Sequence, residues 1–579
     1  MTLAPAAATA SPGPTASGKH WRLRGRFPDG ALEGAPYQPL VRHLLWHRGV
    51  RTAAEAFAFT EARDPVHASH LLPDIDLALD RLSRAIHAGE LIAVYGDFDV
   101  DGVTASAILL EGLGALGGRV VSYIPDRFTE GYGVNTDAIH RLHDQGATVM
   151  ITADCGTSSV DEIAAANNLR IDTIILDHHT APPELPAALA LVNPKRDDSV
   201  YPESELASGG LAFKLIAALY ERLGREFDPD RYLDLVALST VCDMAPLRGE
   251  NRWLVREGLR ALSRTQRPGL RALMEGAGCD PARADATTIG FVIGPRLNAA
   301  GRLANARLAL DLLMEQDPHR AGEMAIHLSD LNRQRQAATA AACELARGLL
   351  AAEDPDAPLI FVGHKDIPSG IVGLVAARLL DDRHRPAIVY EQGKTESRAS
   401  CRSIPEYDIT AALRTCAAFL PRFGGHSAAA GFTADNANLP ALKEALTRHA
   451  ADKLAGLDLT PIIDVDAAIP LARVTGKLIQ SIAALAPFGI GNPEPVFLSR
   501  DLEVRDLRTM GSDAEHLRLS LRDGRQTWPA VAFGVGTVDG TIGGDLQPGM
   551  RIDAVYTFSA DRGSDGAMEL RLLDFAATQ

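Results

Sequence analysis

Short apolar runs alternate with amphipathic segments along the first half of the chain. From Leu91 onward the β-branched runs read LIAVYGDF, RVVSYIP, TVMITADC and DTIILDHH. Helical periodicity between them, as in NTDAIHRLHDQG, predicts βαβ units and a parallel sheet covered by helices. After Tyr201 the strand pattern stops, and helices are predicted through Arg302. A helix from about His319 to Ala352 has no Pro or Gly between Met324 and Arg347, which suits a rigid connector.

Two further patterns occupy the second half of the chain. The runs APLIFVG, RPAIVYE and ESRASCRS, with helices between them, predict a smaller α/β domain. From Pro461, short strands such as HLRLSLRDG and TWPAVAFG predict a small β-barrel of the oligonucleotide-binding (OB) type. The expected plan is a tail and lead-in segment at 1–70, a parallel-sheet α/β domain at 71–317, the connecting helix at 318–353, the smaller α/β domain at 354–456 and the barrel at 457–579.

Composition places this 579-residue chain among ordinary multidomain globular proteins, with 46% hydrophobic and 23% charged residues. No apolar run approaches the roughly 18 residues of a membrane span, so a membrane protein is not expected. The first twenty residues have no signal-peptide pattern, and we interpret them as a disordered tail. Six cysteines without a Cys-x-x-Cys pair fit a reducing cytoplasm. The net charge of −16 argues against a broadly basic surface for duplex DNA, although a local arginine-lined groove is compatible with it.

The strongest local motif is a cluster of carboxylates at Asp97, Asp99 and Asp101, directly after the first predicted strand. Acids two apart on an extended segment project to one side, where their repulsion calls for a cation. A solvated acidic turn or a calcium-type loop is the alternative interpretation. A helix follows the cluster and places it at the carboxyl edge of the sheet. Open α/β sheets carry their active sites there, which favours a functional site.

Two more strands and one helix also end in acids or imidazoles. Asp154 closes TVMITADC, Asp177, His178 and His179 close DTIILDHH, and Asp243 ends the apolar helical stretch STVCDMAPL. A lone buried histidine is more often structural than a ligand, but a polar triplet ending a hydrophobic strand favours a site. The mixed oxygen and nitrogen set suits two divalent ions. Mn²⁺ is favoured over Ca²⁺ because an imidazole is included, and Mg²⁺ is also compatible.

Together with three other stretches, these motifs resemble the DHH phosphoesterase superfamily. The added stretches are PDRFTEGYG at 125–133, GPRLNAAGR at 294–302 and GGHSAAAG at 424–431. Their order narrows the resemblance to the RecJ family of single-stranded-DNA-specific 5′→3′ exonucleases. It spans about Leu71 to Arg500 and enters the barrel through APFGIGNPEP at 486–495. The resemblance implies a DHH catalytic domain, a DHHA1 domain and an OB-like domain that binds nucleic acid.

The resemblance also implies an activity and its ligands. The activity is hydrolysis of single strands by two Mn²⁺ or Mg²⁺ ions, releasing 5′-mononucleotides in DNA repair and recombination. Asp154 would bridge the ions, and Asp97 is an additional acid whose role as a ligand is left open. Asp177 and His179 would orient ligands or protonate the leaving group. The implied metal ligands are Asp99, Asp101, Asp154, His178 and Asp243.

Substrate contacts follow from the same resemblance. Asn298 and Arg302 would meet the scissile phosphate, because a planar guanidinium forks onto phosphate oxygens. A surface pair with Glu406 is the alternative for Arg402, and a helix C-cap with a turn is the alternative for the glycines at 424–425. The implied partners are single-stranded DNA, a single-strand-binding protein and a helicase. Residues implied to contact other substrate phosphates are Arg127, Ser400, Arg402, Gly424, Gly425 and His426.

Two other functions stay open at this point. A phosphodiesterase of the same superfamily could act on cyclic dinucleotides or very short oligonucleotides, although the strand-rich C-terminal block and GPRLNAAGR favour long substrates. A non-catalytic DNA-binding scaffold is disfavoured because every implied ligand position is occupied.

Overall fold

The computed structural model describes residues 15–61, 65–131, 133–352, 354–511, 516–534, 546–560 and 568–578. The chain divides into two compact units. One comprises Met1–Asp64 and Asp458–Gln579, and the other comprises Pro65–Leu457. Of the tail expected at 1–20, residues 1–14 lie outside the described residues. Thr15 is buried, and the Ser17 amide donates to Asp574 Oδ1 at 3.0 Å.

The described part of the chain starts with a strand and two helices, followed by the first α/β domain. In that domain, apolar residues follow one another along the central strands because helices cover both faces of the sheet. The elements are β1 (His20–Leu23), α1 (Pro39–His47), α2 (Ala53–Thr60), α3 (Ile75–Ala88), β2 (Leu91–Gly96), α4 (Val100–Ala115), β3 (Arg119–Tyr123), α5 (Thr136–Asp144), β4 (Ala147–Ala153), α6 (Val160–Asn168), β5 (Asp172–Leu176), β6 (Ala190–Val192), α7 (Ser208–Arg222), α8 (Leu233–Cys242), α9 (Gly249–Leu262), α10 (Pro268–Gly276), α11 (Ala286–Thr288), α12 (Gly294–Leu303) and α13 (Arg307–Met314).

The first sheet has the strand order β3-β2-β4-β5-β6, and all its pairings are parallel. This confirms the predicted parallel-sheet domain. The order places β2, β4 and β5 side by side, so their carboxyl ends meet at one edge.

A long helix connects this domain to the smaller one, as predicted. The second sheet has the order β10-β11-β9-β8-β7 and is mixed, because only β7 and β8 pair in parallel. Sequence reasoning missed the β10–β11 hairpin, whose small residues lack the β-branched signal of a strand. The elements are α14 (Pro318–Leu350), β7 (Ile360–His364), α15 (Val372–Arg383), β8 (Ala387–Gln392), β9 (Glu396–Arg402), α16 (Ile409–Thr415), β10 (Arg422–His426), β11 (Ala429–Asp435) and α17 (Leu439–Leu454).

The C-terminal strands form the predicted closed barrel. Their order is β13-β14-β15-β16-β18-β17, and a further pairing between β14 and β17 closes the sheet on itself. No helix in the described ranges combines the length and apolar character needed to cross a membrane. The elements are β12 (Ile462–Val465), β13 (Ala467–Ala468), α18 (Gly476–Ala483), β14 (Phe497–Met510), β15 (His516–Asp523), β16 (Gln526–Ala532), β17 (Arg551–Ala560) and β18 (Met568–Ala577).

The lead-in segment belongs to the barrel unit, which differs from the expected separate segment at 1–70. β1 pairs in parallel with β12, and Trp21 is fully buried. Leu40 and Leu44 of α1 join a hydrophobic core with Phe497 and Phe575 of the barrel. Partners more than 400 residues apart leave no trace in a local pattern, so sequence periodicity could not place this segment.

We expect residues 65–457 alone to unfold cooperatively, because this unit contains its own cores. A chain that ends at Leu457 but keeps residues 1–64 should aggregate, because the apolar face of α1 then lacks the barrel. Thermal unfolding followed by light scattering compares the two fragments. Aggregation of both fragments to the same extent would contradict the assignment of residues 1–64 to the barrel unit.

Candidate active site

Three adjacent strand ends deliver acids to one edge of the parallel sheet. The amide of Asp97 donates to Ala153 O at 3.0 Å, and the amide of Asp154 donates to Leu176 O at 3.0 Å. The amide of Asp177 continues the ladder to the next strand. Each acid is therefore held in register with its neighbour by backbone hydrogen bonds.

The three clustered acids do not share one extended segment, contrary to the sequence-based expectation. Asp99 is the N-cap of α4, and its Oδ1 accepts from the amides of Asp101 at 2.9 Å and Gly102 at 3.2 Å. Asp101 lies in the first turn of the helix. A Cβ on Gly102 would come within 2.7 Å of the Asp97 backbone, so this glycine lets the helix start against the strand end.

Donors from two other helices hold the Asp101 carboxylate. The amides of Ser208 and Gly209, at the start of α7, donate to it at 2.8 and 2.9 Å. The hydroxyl of Ser239, in α8, donates at 2.5 Å. Ser208 Oγ also donates to Asp154 Oδ1 at 2.9 Å. Sequence reasoning missed these residues, and their one local signal is the Ser-Gly-Gly step that opens α7.

His178 lies at the centre of the acids. Its Nε2 is 3.2 Å from Asp154 Oδ1 and 3.6 Å from carboxylate oxygens of both Asp101 and Asp243. Nevertheless, His178 Nε2 and Asp97 Oδ1 are buried without a hydrogen-bond partner among the described residues. Buried polar atoms ordinarily have partners, and an imidazole nitrogen among carboxylates is a donor set that divalent metals bind. The residues present therefore fit a metal centre.

Three overlapping groups of ligand atoms lie close enough to share ions. Within each group, the candidate atoms are all within 4.8 Å of one another. Asp154 belongs to two of them, as a bridging ligand must. Asp97 lies in the same group as Asp99 and Asp154. The groups are Asp97, Asp99 and Asp154; Asp101, His178 and Asp243; and Asp154, His178 and His179.

Burial and mutual repulsion disfavour ionisation of these acids. Burial, with the charges of Asp101 and Asp99, raises the pKa of Asp154 well above its usual range. Burial and the charge of Asp99 likewise raise the pKa of Asp97. The same two causes, burial and neighbouring acids, raise the pKa of Asp243 to about 8. A cation among the carboxylates removes this penalty.

Asp177 and His179 form a separate ion pair beside the cluster. Nδ1 of His179 donates to Asp177 Oδ1 at 2.7 Å. Burial opposes charge on both groups, but the bond from His179 and one from Thr157 hold the pKa of Asp177 below its usual range. Although burial lowers it, the bond to Asp177 raises the pKa of His179 to about 9. The pairing with Asp177 therefore favours the charged form of the His179 imidazole.

The backbone is also unusual at Asp154, where φ is +69°. Non-glycine residues rarely adopt this left-handed conformation, and aspartate is among those that tolerate it best. Backbone strain of this kind often marks functional positions.

Arginines adjoin the acids on the side of the smaller α/β domain. The guanidinium of Arg127 lies 4.4 Å from the centre of the Phe98 ring. A Cβ on Gly301 would be 2.6 Å from Phe98 O, so α12 packs directly on the acidic segment. One turn after Asn298 on α12, Arg302 donates to Gly370 O of the smaller domain at 3.2 Å.

Ser400 and Arg402 lie close together on β9. Arg402 Nη1 donates to Ser400 Oγ at 3.1 Å, and a Cβ on Gly373 in α15 would be 3.1 Å from both side chains. Burial and the charges of Arg127, Arg335 and Arg402 lower the pKa of Arg302 to about 10. The structure thus brings together four of the residues predicted to contact phosphates: Arg127, Arg302, Ser400 and Arg402.

The predicted residues at 424–426 lie on β10 at the edge of the second sheet. In the strand register, Gly424 lies opposite Gly431, which lies opposite Ser400. His426 is linked in the same way through Ala429 to Arg402. Opposed residues share a face, so the side chain of His426 points to the same side of the sheet as those of Ser400 and Arg402, and Gly424 leaves that face open, two strands or about 10 Å away.

Three family models match the chain: the N-terminal domain of the DHH family at residues 91–240, the DHHA1 domain at 356–452 and the RecJ OB domain at 465–569. The chain is 37% identical over 524 residues to the single-stranded-DNA-specific exonuclease RecJ of Bacillus subtilis. The aligned region covers 90% of this chain and 66% of that protein. The chain therefore spans just under two thirds of that relative. It is 32% identical over 540 residues to RecJ of Salmonella typhimurium, covering 89% of this chain and 92% of that protein.

Solved structures are similar as well. The fold matches crystal structures of RecJ from Thermus thermophilus in complex with Mn²⁺ and with Mg²⁺, at TM-scores of 0.82 and 0.76. Identity is 30% in both cases. The matches cover 96% of this chain and 80% and 78% of those chains.

We expect Asp154→Ala to lower Mn²⁺ affinity at least about 100-fold, because two groups of ligand atoms share this carboxylate. Without metal, Asp154→Asn, which keeps a residue type that tolerates the left-handed backbone, should unfold at the same temperature as the parent or a higher one, since a buried like charge is removed. Mn²⁺ titration by electron paramagnetic resonance and thermal unfolding in EDTA measure both effects. Asp197→Ala, which changes an exposed acid, is the control, and equal Mn²⁺ affinity in the two alanine variants would refute the shared-ligand assignment.

Proposed function

The chain belongs to the RecJ family, and we propose that it is a metal-dependent exonuclease that degrades single-stranded DNA from the 5′ end to 5′-mononucleotides. The observation that carries this proposal is that buried carboxylates converge on Nε2 of His178, which has no hydrogen-bond partner among the described residues. A cluster of arginines lies near the same acids. Such a site can take up cations on one side and phosphate on the other. DNA repair and recombination are the processes that this activity would serve.

Two ions of Mn²⁺ or Mg²⁺ would be held by the strand-end acids. Asp99, with Asp97 beside it, and Asp154 offer one set of ligands. Asp101, His178 and Asp243 offer the other with Asp154. When bound, the ions would activate a water nucleophile and neutralise charge on the phosphate. Support for the metals comes from this donor set and from the relatives crystallised with Mn²⁺ and Mg²⁺.

The chain's own residues position the reacting groups. Backbone amides at the start of α7 and the Ser239 hydroxyl fix the Asp101 carboxylate in one orientation. His179, whose charged form is favoured by its bond to Asp177, would give a proton to the leaving 3′ oxygen. Asn298 and Arg302 share one face of α12 and would bind the scissile phosphate.

The 5′ end would be recognised by the groups around Arg402. A 5′-phosphate carries close to two negative charges and three acceptor oxygens, which match a guanidinium beside a hydroxyl. Arg402 and Ser400 supply that pair, and Arg127 adds a second guanidinium from the first domain. The DNA strand would continue along the edge of the same sheet and contact Gly424, Gly425 and His426. The two glycines permit close approach of its backbone.

The barrel supports long substrates over short ones, since OB folds bind several nucleotides of single strand. We further propose a cytoplasmic location, which is supported by six cysteines that form no disulfide in the structure. A single-strand-binding protein and a helicase are the partners that the family resemblance supports.

The proposal is tested with end-labelled single- and double-stranded DNA in Mn²⁺, Mg²⁺ or EDTA. We expect release of 5′-mononucleotides from single strands only, no turnover in EDTA, and less than a few per cent of parental activity for Asp154→Ala. Degradation from the 3′ end, or equal rates on duplex and single strands, would refute the proposed function.

Arg402→Ala should weaken transition-state binding of 5′-phosphorylated strands by roughly 2–4 kcal/mol, the scale of a lost charge-assisted contact in a desolvated site. The loss on 5′-hydroxyl strands should be far smaller. The measurement is kcat/KM on matched oligonucleotides. Arg398→Ala, an exposed arginine four residues earlier on β9, is the control. An equal loss on both substrates would remove Arg402 from the 5′-phosphate pocket.

A further inference from the structure

The connecting helix α14 contains four arginines, and three of them pair with acidic residues. Arg320 pairs with Glu315 at 3.2 Å, Arg333 pairs with Asp330, and Arg347 pairs with Asp382 at 2.8 Å and with Glu344. No carboxylate in the described part of the chain lies within ion-pair distance of Arg335. Its Nε is buried and has no hydrogen-bond partner there.

Arg335 also occupies a position on the helix where an apolar residue is expected. The first half of α14 packs into the core of the first α/β domain through residues such as Leu328 and Leu331. The second half packs into the core of the smaller domain through Ala342 and Ala346. Arg335 lies one turn after Leu331 on the same stripe, where the helix passes from one domain to the other. A half-buried guanidinium in this place is stabilised by a partner of opposite charge.

The charged neighbours of Arg335 are cations. Burial and the charge of Arg378, in α15, lower the pKa of Arg335. Arg335 in turn is among the arginines that lower the pKa of Arg302, together with Arg127 and Arg402. Guanidiniums from both α/β domains and from the helix between them therefore act on the charge of Arg302, as does the carboxylate of Asp99. Arg302 lies on α12, which packs against α14.

We propose that Arg335 is a phosphate-binding residue that completes the anion site around Arg302 on the path of the single strand. This inference rests on the proposed function, since the phosphate belongs to the DNA substrate. A cluster of partly buried guanidiniums has an electrostatic penalty that a phosphate relieves, because each oxygen accepts charge-assisted hydrogen bonds. Because the connecting helix carries Arg335, one bound phosphate would be held by both domains at once.

The test uses the full-length chain in EDTA, so that binding is measured without hydrolysis. The ligands are inorganic phosphate and matched ten-nucleotide oligothymidylates with 5′-phosphate or 5′-hydroxyl ends. Arg335→Gln should weaken oligonucleotide binding by about tenfold or more and lower the slope of log affinity against log salt concentration by about one. Arg333→Gln, which changes an exposed, acid-paired arginine two residues earlier, should leave affinity and slope unchanged.

A stability readout separates phosphate binding from a structural role. Without ligand, Arg335→Gln should unfold at the parental temperature or above it, because a like charge leaves the cluster. Inorganic phosphate should raise the unfolding temperature of the parent more than that of the variant. Arg335→Lys keeps the positive charge but lacks the paired N–H donors of the guanidinium. It should bind oligonucleotides with an affinity between those of the parent and Arg335→Gln. This second variant remains informative if glutamine at this position impairs folding.

Each outcome decides the inference separately from the proposed function. Parental affinity and salt slope in Arg335→Gln, or equal losses in Arg333→Gln, would overturn it. A lower unfolding temperature with unchanged phosphate binding would make Arg335 a structural residue and overturn it as well. Loss of affinity for the 5′-phosphate strand alone places the contact at the terminal phosphate, and equal loss for both strands places it at an internal one. If the parent binds strands but does not degrade them, the proposed function fails while the anion site stands.

Discussion

Repulsion among buried carboxylates is the constraint on which the site depends. Asp97, Asp99, Asp101 and Asp154 meet at one edge of a parallel sheet, and burial there raises the pKa of Asp97 and Asp154. Such an arrangement persists only when the surrounding structure holds each group in place. The donors on Asp101, the N-cap geometry of Asp99 and the left-handed backbone of Asp154 do this. The fold thus supplies a preorganised cation site at the cost of electrostatic strain.

A cluster of positively charged arginines lies next to the acids. Burial and the charges of arginines from the first domain, the connecting helix and the smaller domain lower the pKa of Arg302 to about 10. Arg127 joins the two regions, because its guanidinium covers the Phe98 ring and is influenced by Asp97 and Asp99. Cations on one side and a phosphate on the other would relieve the repulsion in both clusters together. This pairing is what phosphodiester hydrolysis requires of a protein surface.

The two α/β domains and the barrel contribute in different ways. Both domains of the larger unit provide the charged groups. The connecting helix places Arg335, which has no acidic partner among the described residues, where it passes between their cores. The barrel unit is completed by the lead-in segment, which adds a strand and two helices to it. The charged groups of the candidate site therefore lie in one compact unit of the chain, and the barrel lies in the other.

Local sequence determined much of this protein. Alternation of apolar runs and helices predicted the parallel sheet, the connecting helix and the barrel, because strand and helix periods are local properties. Acids that directly follow apolar strands, such as Asp154 and Asp177, pointed to the sheet edge for the same reason. The family resemblance then selected the residues around Arg302 and Arg402.

Only the tertiary structure decided what depends on distant contacts. It placed Asp101 in a helix whose first turn packs against a strand end through Gly102, and it brought Ser208 and Ser239 to that acid. It paired β1 with β12, across more than 400 residues. It also left Arg335 among cations, although its own helix gives the other three arginines acidic partners. Side-chain partners from remote segments have no periodicity of their own, so sequence patterns cannot reveal them.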